Sequence, residues 1–175
     1  MSKGNWEAIH SSKRHDWQTP KELFARLDRE FGFTLDAAAS SENALCERYL
    51  TSDEDALGLE PGKWAKLANF GPIWVNPPYG RDVIKWIRRG IRESQEGSRV
   101  VMLTFACTET KWFKEAWDSA TEVRFIVGRL KFINPQTKAI GASAPKGSCL
   151  LIFEPHSREK IALQRLPVVS LLQLD

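Results

Sequence analysis

The 175 residues fit a single domain long enough to bury a core, and 42% hydrophobic with 27% charged residues is ordinary for a globular chain. No apolar run approaches the ~20 residues that cross a bilayer, and no signal peptide opens the sequence, so membrane-spanning and secreted classes are excluded and a cytoplasmic protein is expected. The net charge of +3 says little about partners, and three widely separated cysteines (Cys46, Cys107, Cys149) argue for reduced, mostly buried thiols rather than a disulfide framework or a zinc site.

Residues 1–15 are polar and basic, ending in Ser11-Ser12-Lys13-Arg14-His15, and read as a flexible arm that is either solvated or ordered on a phosphate backbone. A helix is expected next. Thr19 can cap it, Pro20 suits the first helical position and Glu22 closes a capping box. Leu23, Phe24, Leu27 and Phe31 then share one face, and the helix runs to about Glu30 and stops near Gly32. Asp16, Trp17 and Thr19 stand just before it, where free N–H groups suit a carboxylate.

Phe31 to Asp36 alternates into a strand that ends on a carboxylate, followed by Ala37-Ala38-Ala39-Ser40. Such small residues let the backbone approach a ligand closely, as glycines do in dinucleotide turns, although the run also suits a helix start. Thr51 to Leu57 is an acidic turn. The stretch between Asp36 and Asn76 is too short for two full βα units, so this half of the sheet is expected to be abbreviated. Pro61-Gly62-Lys63-Trp64 and Asn69-Phe70-Gly71-Pro72 bound a loop or short helix.

Ile73-Trp74-Val75 then runs into Asn76-Pro77-Pro78-Tyr79-Gly80. Two prolines in succession cannot donate ladder hydrogen bonds, so the strand stops there and leaves Asn76 and Tyr79 at its carboxyl end, the edge where open α/β sheets bind ligands. A bare Pro-Pro is an ordinary turn. With Asn before and an aromatic after, the group suits a planar ligand bearing an amino group: Asn76 and the Pro77 carbonyl accept its hydrogens and Tyr79 stacks on its face.

A helix from Arg81 to Arg92 follows, with Ile84, Ile87 and Ile91 as its apolar stripe and Lys85, Arg88, Arg89 and Arg92 as a basic, solvated face. Residues 99–104 read as a buried strand and 110–117 as a helix. Residues 122–127 and 129–132 read as strands around Gly128, and residues 133–147 form a Gly-, Pro-, Lys- and Ser-rich loop before a last strand, 148–153. That is a closing hairpin with a long tip, and loops of such length are commonly functional. The tail, 154–175, ends apolar enough to pack on the domain or on a neighbour. The sequence contains no repeat, no P-loop and no metal-ligand cluster.

The Asn-Pro-Pro-Tyr run resembles the signature Asn/Asp/Ser-Pro-Pro-Tyr/Phe/Trp of amino-methyltransferases that use S-adenosylmethionine. Asp16-Trp17-Gln18-Thr19-Pro20, then Phe33-Thr34-Leu35-Asp36-Ala37-Ala38-Ala39-Ser40, then Trp74 to Gly80, stand in the order seen in phage-type DNA N6-adenine methyltransferases. The likeness spans most of residues 16 to 153.

It implies an α/β, abbreviated Rossmann-like methyltransferase fold with a C-terminal β-hairpin, over residues 16–153, encoded by a phage or prophage. It also implies methyl transfer from S-adenosylmethionine to adenine N6 in double-stranded DNA, after the base is flipped out of its pair. Asn76, Pro77, Pro78 and Tyr79 are then the catalytic group. Trp17, Thr19, Pro20, Asp36, Ala37, Asp55 and Asn76 are the cofactor candidates, Asp55 as an acceptor for the ribose or adenine. Arg81, Arg129, Lys138 and Lys146 are the DNA candidates, and no metal is required. Cytosine N4 or a protein glutamine remains an alternative target, as does a DNA-binding protein that kept the fold without catalysis.

Overall fold

Strand β3 (Val100–Phe105) sends Val100 and Met102 into one buried cluster and Val101 and Leu103 into another. A strand that is apolar on both faces needs cover on both, and helices supply it. The structure, a computed structural model, describes residues 17–133, 140–155 and 168–173.

On one face lies α1 (Lys21–Phe31), which buries Leu23, Phe24 and Leu27 with Trp74, Val101 and Leu103. On the other lie α2 (Lys63–Leu67), α3 (Val83–Gln95) and α4 (Lys111–Ser119), packing Trp64, Trp86, Ile87 and Phe113 with Ile73, Val75, Val100 and Met102. Gly90 lets α3 lie close to β3, since a Cβ there would stand 3.1 Å from Met102 Cε and 3.3 Å from Val100 Cγ1.

The central sheet is mixed and mostly parallel. Strands β1 (Leu35–Asp36), β2 (Ile73–Val75) and β3 run parallel, β7 (Ser148–Phe153) lies antiparallel between β3 and β4 (Glu122–Ile126), and β8 (Val168–Leu172) runs parallel to β4 at the far edge. Beyond β1 only a stub of strand remains. Asp36 bridges Tyr49 in parallel fashion, with Asp36 N donating to Arg48 O at 3.0 Å and Leu50 N to Asp36 O at 2.9 Å.

Three features differ from the sequence reading, while the Ala37–Ser40 run follows it in not being helical. Helix α1 starts where expected, but its N-cap is Pro20 and no side chain caps it; the Thr19 hydroxyl is buried instead. Strand β4 pairs with β7 rather than with the next segment. That segment forms a separate two-stranded antiparallel sheet, β5 (Lys131–Ile133) with β6 (Ile140–Ser143). The tail supplies β8, so the sheet extends past residue 153, and Arg26 Nη1 donates to Gln173 O at 2.6 Å.

Arg89 also leaves the solvated face assigned to it. It is buried on α3, with Nη2 2.7 Å from Glu93 Oε1, and it donates to the carbonyls of Leu59 and Glu60. Glu93 in turn accepts from Gly62 N at 3.0 Å and Ala65 N at 2.9 Å. A buried charge needs both a counter-charge and hydrogen bonds, and this pair has them. No helix among the described residues is long and apolar enough to cross a membrane.

Candidate active site

Because β1, β2 and β3 are parallel, Asp36, Asn76 and Phe105 emerge at one edge of the sheet. A cavity of about 350 Å³ opens there. Its walls include Trp17, Gln18 and Thr19 ahead of α1, Asp36 at the end of β1 with Ala37 to Ser40 after it, Asn43, Thr51 and Ser52, Asn76 and Pro78 after β2, and Trp86 of α3. The chain's small residues fall where its backbone lines the cavity: Ala37 N donates to Trp74 O at 3.0 Å and Ala39 N to Leu50 O at 2.9 Å.

Asp36 is 3% exposed. One carboxylate oxygen accepts from Ala38 N at 3.3 Å and the other from Leu45 N at 3.2 Å. Those bonds fold the 37–45 loop over the strand end and still leave a lone pair on each oxygen. Burial pushes the carboxyl up to about 6, against the pull of the two backbone N–H groups. Thr19 is 4% exposed, lines the cavity, and its hydroxyl finds no hydrogen-bond partner among the described residues. A buried polar atom left unpaired beside a cavity suits a ligand with a polar group.

Asn76 is held from both ends. Nδ2 donates to the Trp17 carbonyl at 2.6 Å, and Oδ1 accepts from the Tyr79 hydroxyl at 3.0 Å. The first bond ties the strand end to the segment preceding α1; the second fixes the amide so that its oxygen keeps one free lone pair. Tyr79 itself is 7% exposed, and burial holds its hydroxyl well above the usual range. Its ring is stacked on Phe105 at 4.2 Å and meets Phe132 edge-on at 5.9 Å. The ring therefore does not project freely from the strand end, because Phe105 stacks on one of its faces. A base stacked on that face of Tyr79 requires Phe105 to move aside.

Not every candidate lines this cavity. Pro20 caps α1 and Pro77 is buried, yet neither is in the wall. Asp55 is exposed, in a left-handed conformation at the end of a 3-10 turn over Ser52–Glu54, and the acidic stretch reaches the cavity through Thr51 and Ser52 instead. Asp16, Lys138 and the residue 1–15 arm lie outside the described residues.

Three of the basic candidates share the signature's side of the domain. Arg81 follows Gly80 and is exposed. Ala106 N donates to Gly147 O at 2.8 Å, which sets the turn before β7 at the end of β3. Lys146 of that turn is 3.2 Å from Cys107 Sγ and 3.5 Å from Glu109, and the hydrogen bond to Cys107 raises its pKa. Arg129 donates to Ala144 O at 2.9 Å, in the same turn. Sequence reasoning passed over Gln18, Asn43, Thr51, Ser52, Trp86 and Phe105, since single polar residues in turns and an aromatic at a strand end carry no signal until the fold gathers them.

The family model described as DNA N-6-adenine-methyltransferase (Dam) matches residues 7–174. The DNA N-6-adenine-methyltransferase of Escherichia phage T1 is 31% identical over 172 residues, covering 89% of this chain and 69% of the relative. The DNA N-6-adenine-methyltransferase of Haemophilus phage HP1 (strain HP1c1) is 29% identical over 162 residues, 90% of this chain and 87% of the relative. A shorter match, 36% over 66 residues, joins it to the putative methyltransferase YfdM of Escherichia coli (strain K12). With nearly its whole length matched, and Asn76 and Pro78 of the strand-end motif lining a cavity, the chain belongs to the DNA N-6-adenine-methyltransferase (Dam) family.

Proposed function

We propose that this protein methylates the exocyclic N6 of adenine in double-stranded DNA, with S-adenosylmethionine as donor, on an abbreviated Rossmann-like methyltransferase fold in the cytoplasm of a bacterial host. The observation that carries the reading is the Asn76 carboxamide, pinned by Trp17 and Tyr79 with its oxygen available at the rim of the cavity.

The residues present fit the cofactor. The cavity is within the size range of small-molecule sites, and its walls pair apolar surface with a few polar groups. The unpaired Thr19 hydroxyl and the first N–H groups of α1 suit the carboxylate of the methionine end. Asp36, Asn43 and Ser52 suit the ammonium and ribose hydroxyl groups. When bound, the cofactor supplies an electrophilic methyl group on a sulfonium sulfur.

The protein's part is positioning and electrostatics. N6 is occupied in the Watson–Crick pair, so the base must leave the stack. Asn76 Oδ1 and the Pro77 carbonyl then accept the two amino hydrogens. That turns the nitrogen lone pair out of conjugation with the ring and toward the methyl group. Arg81, Arg129 and Lys146 provide positive charge for the flanking phosphates.

Incubating the full chain with methyl-labelled S-adenosylmethionine and unmethylated duplex DNA, then digesting to nucleosides, tests the reading. N6-methyldeoxyadenosine is expected. Label in N4-methyldeoxycytidine would move the target to cytosine, and bound cofactor with unlabelled DNA would leave a binding protein.

A further inference from the structure

Ser148, the first residue of β7, is 1% exposed, and its hydroxyl finds no hydrogen-bond partner among the described residues. The pleat and the register both place that hydroxyl. Alternate residues of a strand share a face, so Ser148 points the same way as Leu150 and Ile152, which are buried with Tyr79 and Phe132. Across the sheet Ser148 pairs with Phe105, and such cross-strand partners stand side by side on one face. The hydroxyl therefore lies beside the aromatic group at the strand ends, and Ser148 is not in the wall of the cavity that suits the cofactor.

The next pair along the same strands shows the contrast. Thr104 and Cys149 face each other on the opposite side of the sheet and share a hydrogen bond of 3.4 Å. Ser148 faces a phenylalanine, which offers it nothing. Burying a hydroxyl without a partner disfavours the folded state, and alanine would fill the position without that cost. A partner that arrives with the substrate accounts for the serine.

A flipped base would arrive at this spot. Tyr79 is 7% exposed, so no base reaches its ring until a neighbour yields. Phe132 is fully buried and meets Tyr79 edge-on at 5.9 Å. Phe105 is only half-buried and is stacked on Tyr79 at 4.2 Å, as a planar base would be. Phe105 is thus the neighbour that can move, and its departure opens the place beside Ser148.

We propose that Ser148 reads the target adenine: the base replaces Phe105 on Tyr79, and the Ser148 hydroxyl donates to ring nitrogen N1, beside N6. Flipped bases are read along their Watson–Crick edge, and N1 is the acceptor on that edge. Asn76 Oδ1 and the Pro77 carbonyl accept from the amino group and bring no donor for N1; Ser148 supplies one. This rests on the adenine-methylation reading above and adds the residue that identifies the base by its ring.

The test uses the full chain and duplexes carrying the sequence the parent protein methylates, with adenine, 1-deazaadenine or 7-deazaadenine at the target position. Each analogue replaces one ring nitrogen by a C–H group and keeps the amino group. Ser148→Ala is expected to melt at or above the parental temperature, because it removes an unpaired buried hydroxyl. It should methylate the adenine and 7-deazaadenine duplexes about threefold or more slowly than the parent, as for a lost hydrogen bond, and match the parent on 1-deazaadenine. A purely structural role would lower all three rates together. Phe105→Leu should lower KM for the adenine duplex about threefold or more, since no stacked ring has to be displaced.

A smaller loss for Ser148→Ala on adenine, equal losses on all three duplexes, or a loss that vanishes on 7-deazaadenine overturns the assignment to N1. A destabilised Ser148→Ala overturns it too, by showing that the hydroxyl has its partner within the protein. An unchanged or raised KM for Phe105→Leu would keep Phe105 on Tyr79 and overturn the exchange. A parent that forms no N6-methyladenine in the adenine duplex removes the underlying reading instead, and is told apart by the parental lane alone.

Discussion

Asn76 Nδ2 donates to the Trp17 carbonyl at 2.6 Å, and this bond fixes which way round the carboxamide lies. Turning the amide over would set its oxygen against another carbonyl. The Tyr79 hydroxyl, 3.0 Å from Asn76 Oδ1, supports the same orientation from the other side.

Removing that hydroxyl while keeping the ring isolates its role. Tyr79→Phe is expected to slow methyl transfer by about three- to tenfold, the worth of one intramolecular hydrogen bond at ~0.5–1.5 kcal/mol. Cofactor affinity, measured by isothermal titration, should not change. A weakened affinity would mean that the hydroxyl supports the cavity rather than Asn76.

Asp36 predicts two pH dependences of opposite sign. Its folded pKa of about 6 lies above the ordinary carboxylate value, so folding favours the protonated form. Its ionisation therefore costs stability above about pH 6, and the cost is relieved as pH falls toward the unfolded value near 4. Cofactor binding should run the other way. If the ionised carboxylate is the acceptor, affinity falls by up to about tenfold per pH unit below about pH 6. Asp36→Ala should bind about tenfold or more weakly at neutral pH, ~1.4 kcal/mol, with a flat profile. Titrations of both proteins across this range check it; a parent whose affinity ignores pH would leave Asp36 as a loop anchor only.

The strand-end Asn-Pro-Pro-Tyr and the carboxylate that ends β1 were legible because each sits at a local event, a strand broken by prolines and a strand met by small residues. Helix α1 was legible from Leu23, Phe24, Leu27 and the Gly32 stop. Arg89 was not. Its spacing puts it on the polar side of α3, and only Glu93 together with the carbonyls of the 57–60 segment makes its burial tolerable. Tyr79 is less free than expected for a similar reason, since Phe105 arrives from β3, a strand distant in sequence, and stacks on one face of its ring. Asp55 looked like an acceptor because it is acidic, but a left-handed turn sets it apart from the cavity wall that Thr51 and Ser52 form.

The Arg89–Glu93 pair gives a stability prediction. Arg89→Ala leaves the Glu93 charge buried without its partner and should cost about 3–5 kcal/mol in urea denaturation. The segment it holds runs on from Thr51 and Ser52 in the cavity wall, so cofactor affinity should fall as well. A loss below about 1 kcal/mol would show that the backbone N–H groups of Gly62 and Ala65 satisfy Glu93 unaided.

Charge removal at the edge proposed to meet DNA should read out as salt dependence. Arg81→Ala and Arg129→Ala are each expected to lower the slope of log affinity against log salt by about one. Lys146→Ala should lower it less, because Glu109 already stands 3.5 Å from that amine. Anisotropy titrations with labelled duplex at several salt concentrations supply the slopes. Unchanged slopes for Arg81 and Arg129 would move the footprint elsewhere.

Asn76 is proposed to accept a hydrogen from the target amine as charge develops on the nitrogen. Such an acceptor acts on turnover far more than on ground-state binding. The most direct measurement pairs two numbers on one variant, Asn76→Ala: its affinity for S-adenosylmethionine by calorimetry and its rate of N6-methyldeoxyadenosine formation in DNA. The predicted result is near-parental affinity with a rate reduced about a hundredfold or more, roughly 3 kcal/mol of lost transition-state stabilisation. A folded Asn76→Ala that methylates DNA at the parental rate would exclude Asn76 as that acceptor.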